Sequence, residues 1–226
     1  MFAPESLEVR RNMACDAFYD AASQLLTIQG STDADLCEVS RDVAGNILLN
    51  GVSTGATVGN TNVINISTGD SNDAIRIDQR NGLFVKPSGD EIKVLIDAGS
   101  GDHDMLLVHG TDQNDRIDIG VIGGVPQINM NGDGDVDIVG GGSEEFYLYG
   151  ERGDDVLSGA GTDVVGVGFP MGLYLNGGDG NDTTIGGVLF TSHEGGAGND
   201  HLIGGPTIDR YFFSGGNLGS DVITDS

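Results

Sequence analysis

Glycine-rich turns and short apolar segments alternate along the chain with a period of nine residues. In the C-terminal half, glycine occupies nine consecutive positions at this spacing, from Gly132 to Gly204. Each unit opens with residues drawn mostly from Gly, Asn and Asp, which favour turns with positive φ, and closes with β-forming residues. The pattern therefore predicts short strands joined by tight turns. An apolar residue recurs near the eighth position of the unit as Leu148, Leu157, Leu175 and Leu202.

Strands this short are not stable alone, so the repeat predicts that they stack on one another. Two turn-and-strand units closing one coil give about 18 residues per coil, which is a flattened parallel β-solenoid with a narrow apolar interior. Helix is disfavoured because no 3.6-residue apolar period runs between the glycines. Looser copies of the turn occur upstream at 30–35, 69–73, 99–104 and 110–115, followed by alternating segments at 75–77, 105–108 and 117–119.

The N-terminal segment has a different pattern. Residues 17–28 are typical of two short strands around a turn, and residues 36–40 and 46–49 form a similar pair around 42–45. A solenoid end needs a cover, because a bare strand edge pairs with other chains. We therefore divide the chain into an N-terminal β cap (1–30), degenerate repeats (31–131) and regular nonapeptide repeats (132–226).

Composition and charge exclude several classes of function. The 226 residues include 39 Gly and 35 Asp+Glu against 10 Lys+Arg, a net charge of −25. Such a chain is not expected to bind nucleic acid or an anionic membrane by charge. No apolar run is long enough for a transmembrane helix, and the first residues lack the pattern of a signal peptide. We expect a chain that stays inside the cell or leaves it by a route that needs no N-terminal signal.

The best repeat copies carry a family resemblance. Residues 177–185 (GGDGNDTTI) and 195–203 (GGAGNDHLI) resemble the Gly-Gly-x-Gly-x-Asp-x-apolar-x repeat of the RTX family, the hemolysin-type calcium-binding proteins. The match is strong over roughly 132–226 and looser upstream. The resemblance implies an all-β, right-handed parallel β-roll that binds several Ca²⁺ ions between successive turns. It also implies that the aspartate at the sixth position reaches the ion.

The repeat residues suit calcium, which takes six to eight oxygen ligands from carboxylates and backbone carbonyls. One turn offers too few oxygens, so we expect each ion to lie between turns one coil apart. The best expected site joins 177–182 to 195–200, and its neighbours use 159–163 and 215–221. The expected ligands in the best site are Gly177, Asp179, Gly180, Asp182, Gly195, Ala197, Gly198 and Asp200. The other expected aspartates are Asp163, Asp221, Asp155, Asp137, Asp115, Asp104, Asp73 and Asp35.

Spacing predicts how these residues are arranged. Glu145, Asp163, Asp182, Asp200 and Asp221 follow one another at intervals close to one coil, which predicts one column along one edge. Asp137 and Asp155 are also separated by one coil and predict a site on the opposite edge. Farther along that edge the sixth-position aspartate is missing, so calcium is expected on one edge only within 159–221. The side chains of Phe169, Met171, Leu189 and Phe190 are expected there either as packed loop residues or as a contact surface.

Other motifs are weaker. Asp133 to Asp137, with Glu144 in the twelfth place, resembles an EF-hand loop but has Ile138 where that loop needs glycine. We predict a β-roll turn there, in either case suited to a divalent cation. Gly51-Val-Ser53-Thr-Gly55 matches a hydrolase nucleophile elbow without the required strand–turn–helix context. We expect no catalytic site in the chain, and we expect the four histidines (His103, His109, His193 and His201) to be solvated.

Two cysteines, Cys15 and Cys37, are too few for a disulfide scaffold. They are consistent with two unpaired buried thiols or, in an extracellular protein, with one disulfide. If Cys37 lies one coil above Cys15, their strands are neighbours near 4.8 Å apart.

These observations favour a calcium-binding module of a secreted or cell-surface protein that folds when Ca²⁺ binds. One alternative is a structural or adhesive protein that assembles end to end or binds polysaccharide. The resemblance adds another, an accessory module of a secreted hydrolase or epimerase. RTX chains commonly continue beyond their repeats, so we also expect this chain to be a fragment or its end to contact another subunit.

Overall fold

The computed structural model describes residues 15–101 and 103–225, and within them the protein is all-β, without helix. The strands form a 13-stranded sheet and a nine-stranded sheet. Their bounds are β1 Asp16–Asp20, β2 Leu25–Gln29, β3 Leu36–Arg41, β4 Asn46–Leu49, β5 Val52–Thr57, β6 Val63–Ser67, β7 Ala74–Asp78, β8 Lys93–Asp97, β9 Met105–His109, β10 Arg116–Ile122, β11 Val125–Asn129, β12 Ile138–Gly141, β13 Glu145–Arg152, β14 Val156–Ser158, β15 Gly161–Thr162, β16 Gly166–Gly168, β17 Leu173–Asp179, β18 Thr183–Ile185, β19 Thr191–Ala197, β20 His201–Ile203, β21 Arg210–Phe212 and β22 Val222–Thr224.

Both sheets are mixed, with long parallel runs. In the nine-stranded sheet, β3, β7, β9, β13, β17, β19 and β21 pair in parallel, and β4 and β5 are added antiparallel at one edge. In the 13-stranded sheet, one parallel run joins β2, β6, β8 and β12, and another joins β10, β14, β18, β20 and β22. The hairpin β10–β11 and the antiparallel pair β11–β12 connect the two runs.

The offset between paired strands changes along the chain. Near the C-terminus it equals the coil length that the repeat predicts, as in the pairs Leu173–Thr191 and Thr183–His201. The offset is longer where Phe146 pairs with Leu173, because the hairpin β15–β16 is inserted between their strands. It is longer still upstream, as between Met105 and Glu145. The expected coil is therefore present in the last turns only.

The core is the set of side chains on the inner faces of the two sheets. The recurring leucines Leu148, Leu157, Leu175 and Leu202 have no exposed surface. Leu148 pairs with Leu175 in neighbouring strands, so like side chains stack along the sheet. This stacking explains how very short strands persist: each buries one or two side chains against the same position above and below.

Most of the strands that the sequence predicts are present. The segment 17–28 forms β1 and β2, residues 36–40 and 46–49 lie in β3 and β4, and the three upstream alternating segments lie in β7, β9 and β10. Both sheets continue across position 131, since β9 pairs with β13 and β10 with β14. The three-part division of the chain stays a prediction, and residues 1–14 of the expected cap lie outside the described residues.

Cys15 and Cys37 form a disulfide with a Cα–Cα separation of 5.6 Å. Cys37 does not lie one coil above Cys15, so the condition for neighbouring strands is not met. Cys15 directly precedes β1 in the 13-stranded sheet, whereas Cys37 lies in β3 of the nine-stranded sheet. The bond therefore joins the two sheets across the core at the N-terminal end.

Candidate metal centre

A ladder of aspartates follows one line of turns. Each aspartate ends a glycine-containing turn, and its backbone N–H donates to a carboxylate oxygen one coil farther along. The pairs are Asp115 N–H to Asp155 Oδ1 (2.7 Å), Asp155 N–H to Asp182 Oδ1 (2.8 Å), Asp182 N–H to Asp200 Oδ1 (2.9 Å) and Asp200 N–H to Asp221 Oδ1 (3.0 Å). We call this set the C-terminal ladder.

A second line of turns forms a similar N-terminal ladder. The Asp35 N–H donates to Asp73 Oδ1 (2.8 Å), and the Asp73 N–H donates to Asp104 Oδ1 (2.7 Å). At its end the Asp104 N–H donates to Glu144 Oε2 (2.9 Å). The sequence placed Glu145 in a metal column, but its neighbour Glu144 takes the ladder position.

Glycine at the first turn position makes room for the carboxylate. A Cβ on Gly177 would collide with the side chain of Asp182, and a Cβ on Gly195 would collide with that of Asp200. The space beside Gly150 is bounded by Asp155 Oδ2 and by the carbonyl oxygen of Gly177. Carboxylate and carbonyl oxygens of adjacent coils therefore face the same small volume, which is the ligand chemistry that calcium takes.

Three carboxylates of the C-terminal ladder keep one oxygen without a partner. The residues Asp155, Asp182 and Asp200 are at most 2% exposed, and the Oδ2 atom of each has no hydrogen-bond donor among residues 15–101 and 103–225. Burial raises the pKa of Asp155 and of Asp182 to about 7, with the adjacent ladder carboxylates adding to the rise. Burial also raises the pKa of Asp200. A buried carboxylate oxygen without a donor is costly, and a cation would satisfy it.

The third and fourth turn positions contribute backbone contacts between coils. The carbonyl oxygen of Asp179 accepts from the Gly153 N–H (2.9 Å), and that of Ala197 accepts from the Gly180 N–H (2.8 Å). Gly198 is packed so closely on Gly180 that a Cβ would overlap the Gly180 carbonyl oxygen. The structure thus brings all eight residues of the best expected site into two adjacent turns.

A ladder at the fifth turn position was missed by sequence reasoning. Asn199 N–H donates to Asn181 Oδ1 (3.1 Å), Asn181 N–H to Asp154 Oδ1 (2.7 Å) and Asp154 N–H to Asn114 Oδ1 (3.0 Å). It runs in the opposite direction to the aspartate ladder, since the later coil donates to the earlier one. The recurrence of Asn and Asp one place before the ladder aspartate was the available signal.

The expected column through Asp163 is wrong. Asp163 is exposed in the turn between β15 and β16, and the ladder passes directly from Asp155 to Asp182. The reason is that β14 pairs with β18, so the nonapeptide between them leaves the stack as a hairpin. Counting one expected coil back from Asp182 therefore reaches this hairpin, which lies outside the stack.

The expected pairing of Asp137 with Asp155 is also wrong, since Asp155 belongs to the C-terminal ladder. Asp137 instead accepts the Met130 N–H at Oδ2 (2.7 Å), at the end of the loop that joins β11 to β12. Because these strands are antiparallel, the loop is not the predicted turn between stacked parallel strands. No helix of the described residues flanks it, as an EF-hand would need.

The same loop contributes to a separate acidic cluster of Glu91, Asp133 and Asp135. Their carboxylate oxygens lie within 4.8 Å of one another, close enough to hold a metal ion. Burial and the hydrogen bond with Asp137 raise the pKa of Glu91 to about 8. Lys93 Nζ lies 2.5 Å from Asp135 Oδ2 and compensates part of the charge. Glu91 was missed because it is distant from the loop in sequence and belongs to no repeat.

The expectation of four solvated histidines is wrong for two of them. His193 is fully buried, its Nδ1 lies 2.8 Å from Thr184 Oγ1, and burial lowers its pKa to about 4. His109 is 8% exposed, stacks on Tyr149 at 4.4 Å and has its Nδ1 2.5 Å from Glu151 Oε1. His193 pairs with the buried Leu175 of the neighbouring parallel strand, so its side chain lies on the same core-facing side of the sheet.

The apolar edge divides into packed and exposed side chains. Phe169 is fully buried with its ring 4.8 Å from that of Phe146, and Met171 packs on the same core. Leu189 and Phe190 remain 46% and 37% exposed. Ser53 lies in β5, which pairs antiparallel with β4, so the strand–turn–helix context of a nucleophile elbow does not occur there.

Comparison of the chain with protein-family models, with curated proteins and with solved structures found no match in any of the three. The resemblance to the RTX repeat therefore rests on the turn residues themselves. Among residues 15–101 and 103–225, no helix has the length and hydrophobicity needed to cross a membrane.

Proposed function

We propose that this protein is a calcium-binding β-roll module of a secreted or cell-surface protein and that it folds when Ca²⁺ binds. The observation that carries the proposal is the set of buried, unpartnered Oδ2 atoms of Asp155, Asp182 and Asp200. The parallel runs and the constant register of the last strands support a roll with stacked turns. The disulfide is consistent with an oxidising compartment.

The residues fit a calcium ion in charge and in ligand type. Asp155, Asp182 and Asp200 would supply carboxylate oxygens, and the glycine-rich turns would supply backbone carbonyls. The bound ion supplies positive charge between coils that otherwise repel one another. The formal net charge of −25 opposes compaction, so the free energy of binding becomes free energy of folding.

We expect far-ultraviolet circular dichroism to show a gain of β-structure when CaCl₂ is added to protein held in EGTA. Half-saturation is expected at about 10⁻⁴–10⁻³ M, as for extracellular calcium modules. NaCl at matched ionic strength is the control for screening of charge. Equal β content in EGTA and in saturating calcium would refute the proposal.

A second candidate function is end-to-end assembly into a structural or adhesive array. Within the described residues, β21 and β22 each pair on one side only, at the same end of the two sheets. Their neighbourhood exposes four large apolar side chains at 44% to 57%: Phe212, Phe213, Val222 and Ile223. Open strand edges with apolar surface favour pairing with another chain.

We expect assembly of this kind to raise the mass measured by sedimentation when calcium is added, and the substitution Val222→Asp to keep the protein monomeric. A single monomer mass in both conditions would exclude this candidate while leaving calcium binding untouched.

A further inference from the structure

Seven aspartates at the sixth turn position fall into two groups according to their second carboxylate oxygen. In the open group, the buried Oδ2 atom has no hydrogen-bond partner in the part of the chain that the structure describes, as in Asp73, Asp155, Asp182 and Asp200. In the closed group, Oδ2 accepts the backbone N–H of the second residue of the same turn. The closed pairs are Ser31 N–H to Asp35 (2.5 Å), Thr111 N–H to Asp115 (2.6 Å) and Gly205 N–H to Asp209 (2.7 Å).

The backbone of the second turn residue separates the two groups. In the open turns this residue has a positive φ: 101° at Gly69, 80° at Glu151, 108° at Gly178 and 102° at Gly196. Ser31, Thr111 and Gly205, which hold the same place in the closed turns, are not among the residues with positive φ. A change in φ reorients the peptide N–H relative to the carboxylate, which explains why the donor is lost.

Glu151 shows that the open state is maintained against a local cost. A residue with a side chain is uncommon at positive φ, where glycine is the usual choice. Glu151 nevertheless holds φ at 80°, and Asp155 in the same turn keeps its Oδ2 free. Strain of this kind persists only where the surrounding structure imposes it and is concentrated at functional sites.

The two states differ in what they offer a cation. An open carboxylate is at most 2% exposed and has an unused acceptor, so an ion would satisfy a group that the protein leaves unpaired. A closed carboxylate is already held by the turn. At Asp115, for example, the Thr111 hydroxyl adds bonds of 3.1 and 3.0 Å to the two oxygens. An ion there would have to displace these donors.

We propose that the conformation of the second turn residue selects the calcium sites: the open turns of Asp73, Asp155, Asp182 and Asp200 take up Ca²⁺, whereas Asp35, Asp115 and Asp209 only support the fold. This inference rests on the proposed function. It places one site, at Asp73, in the N-terminal ladder, where the sequence departs most from the repeat.

The rule also shortens the set of expected ligands. Asp115 is removed because its turn is closed. Asp35 is removed for the same reason. Its Oδ1 has no partner because Asp35 is the first aspartate of its ladder, and no earlier coil of the described residues provides a donor. Asp104 is removed because its oxygens accept from Gly101 N–H (3.1 Å) and Asp73 N–H (2.7 Å).

The test counts bound calcium by native mass spectrometry, with calorimetric titration of the same samples with CaCl₂. We expect Asp182→Asn and Asp200→Asn each to lose at least one ion relative to the unsubstituted protein. The matched variants Asp115→Asn and Asp209→Asn change the same side chain in closed turns and are expected to keep the full number. Asn retains an Oδ1 acceptor in all four, which accepts the ladder N–H at Asp182 and Asp200, the Thr111 hydroxyl at Asp115 and the Thr191 N–H at Asp209.

Asp73→Asn repeats the test in the other ladder and is expected to lose one ion even if the variants of the C-terminal ladder fail to fold. Equal losses in the open and closed variants, or an unchanged count in Asp73→Asn, would overturn the selection rule while leaving calcium binding intact. If the unsubstituted protein binds no calcium, the proposed function and this inference both fail.

Discussion

In calcium-free buffer, we expect the protein to lose stability as the pH rises from about 5 to about 8. Burial raises the pKa of Asp155 and Asp182 to about 7, far above the 3.8 of an unperturbed aspartate. Between these values the folded protein holds protons that the unfolded chain has released, so a rising pH favours unfolding. The stabilisation is full below about pH 4 and is lost as the pH passes about 7. Between pH 5 and pH 8 the change for the two groups together is on the order of 5 kcal/mol.

Other buried groups modify this dependence without reversing it. Glu91, with a pKa raised to about 8, acts in the same direction as the two aspartates. His193 acts in the opposite direction. Burial lowers its pKa from 6.5 to about 4, so between these values the unfolded chain holds a proton that the folded protein has released, and stability rises with pH. Burial also lowers the pKa of His109, which acts like His193. It raises the pKa of four further carboxyls, which act like Glu91: Asp73, Asp115, Asp137 and Asp200. The carboxyls outnumber the histidines, and the net effect is a fall in stability with rising pH.

Urea unfolding in EGTA at several pH values measures this effect. Asp182→Asn removes one of the titrating groups and is expected to flatten the dependence on pH. Asp163→Asn is the matched control, since Asp163 is exposed on the β15–β16 hairpin outside the ladder. Calcium is expected to restore stability at pH 8, where the carboxylates are ionised. A stability in EGTA that stays constant or increases from pH 5 to pH 8 would contradict the assignment of Asp155 and Asp182.

The sequence was sufficient to predict strands and the best pair of turns. Much of the turn chemistry is local: glycines at 178, 180, 196 and 198 permit the positive φ found there, and the residues that follow favour strand. The pairing of Asp182 with Asp200 follows because nothing is inserted in the single coil that separates them. Where the repeat is uninterrupted, the spacing of two residues along the sequence therefore predicts which residues lie next to each other in adjacent coils.

Spacing failed where a hairpin leaves the stack. Asp163 has the composition of a ladder position, yet β14 pairs with β18 and not with the intervening residues. Which strand a segment joins depends on the surface that it can bury, and a nine-residue pattern is the same in a coil and in a hairpin. The same limit explains Glu144, which reaches Asp104 from a distant part of the sequence.

Open and closed turns could not be separated from sequence for a different reason. Gly205 has the residue type of an open turn but lies in a closed one, and Glu151 has a disfavoured type in an open one. Residue type at this position therefore does not decide the backbone conformation, because a disfavoured φ such as that of Glu151 persists only where the surrounding structure imposes it.

We expect Gly196→Ala to abolish most of the calcium-induced folding. Gly196 has a φ of 102°, and a Cβ on it would overlap the backbone carbonyl oxygen of Gly178 one coil earlier. Backbone atoms of a stacked turn cannot move aside without separating the coils that the ladder joins. The strained φ alone costs about 1–3 kcal/mol, and the overlap adds to it. Since the effect falls on the open turn of Asp200, calcium affinity is expected to fall together with stability.

Gly172→Ala is the matched control for this substitution. Gly172 precedes β17, has no positive φ, and a Cβ on it would meet no atom within 4 Å. Replacing it with alanine is expected to change the free energy of unfolding by less than about 1 kcal/mol. Calcium titrations followed by circular dichroism, with urea unfolding in saturating calcium, compare the two variants. Similar midpoints for both would mean that close stacking of the second turn position is not needed for the folded state. A large loss confined to Gly196→Ala would identify the contact between adjacent turns as the element through which calcium binding becomes folding.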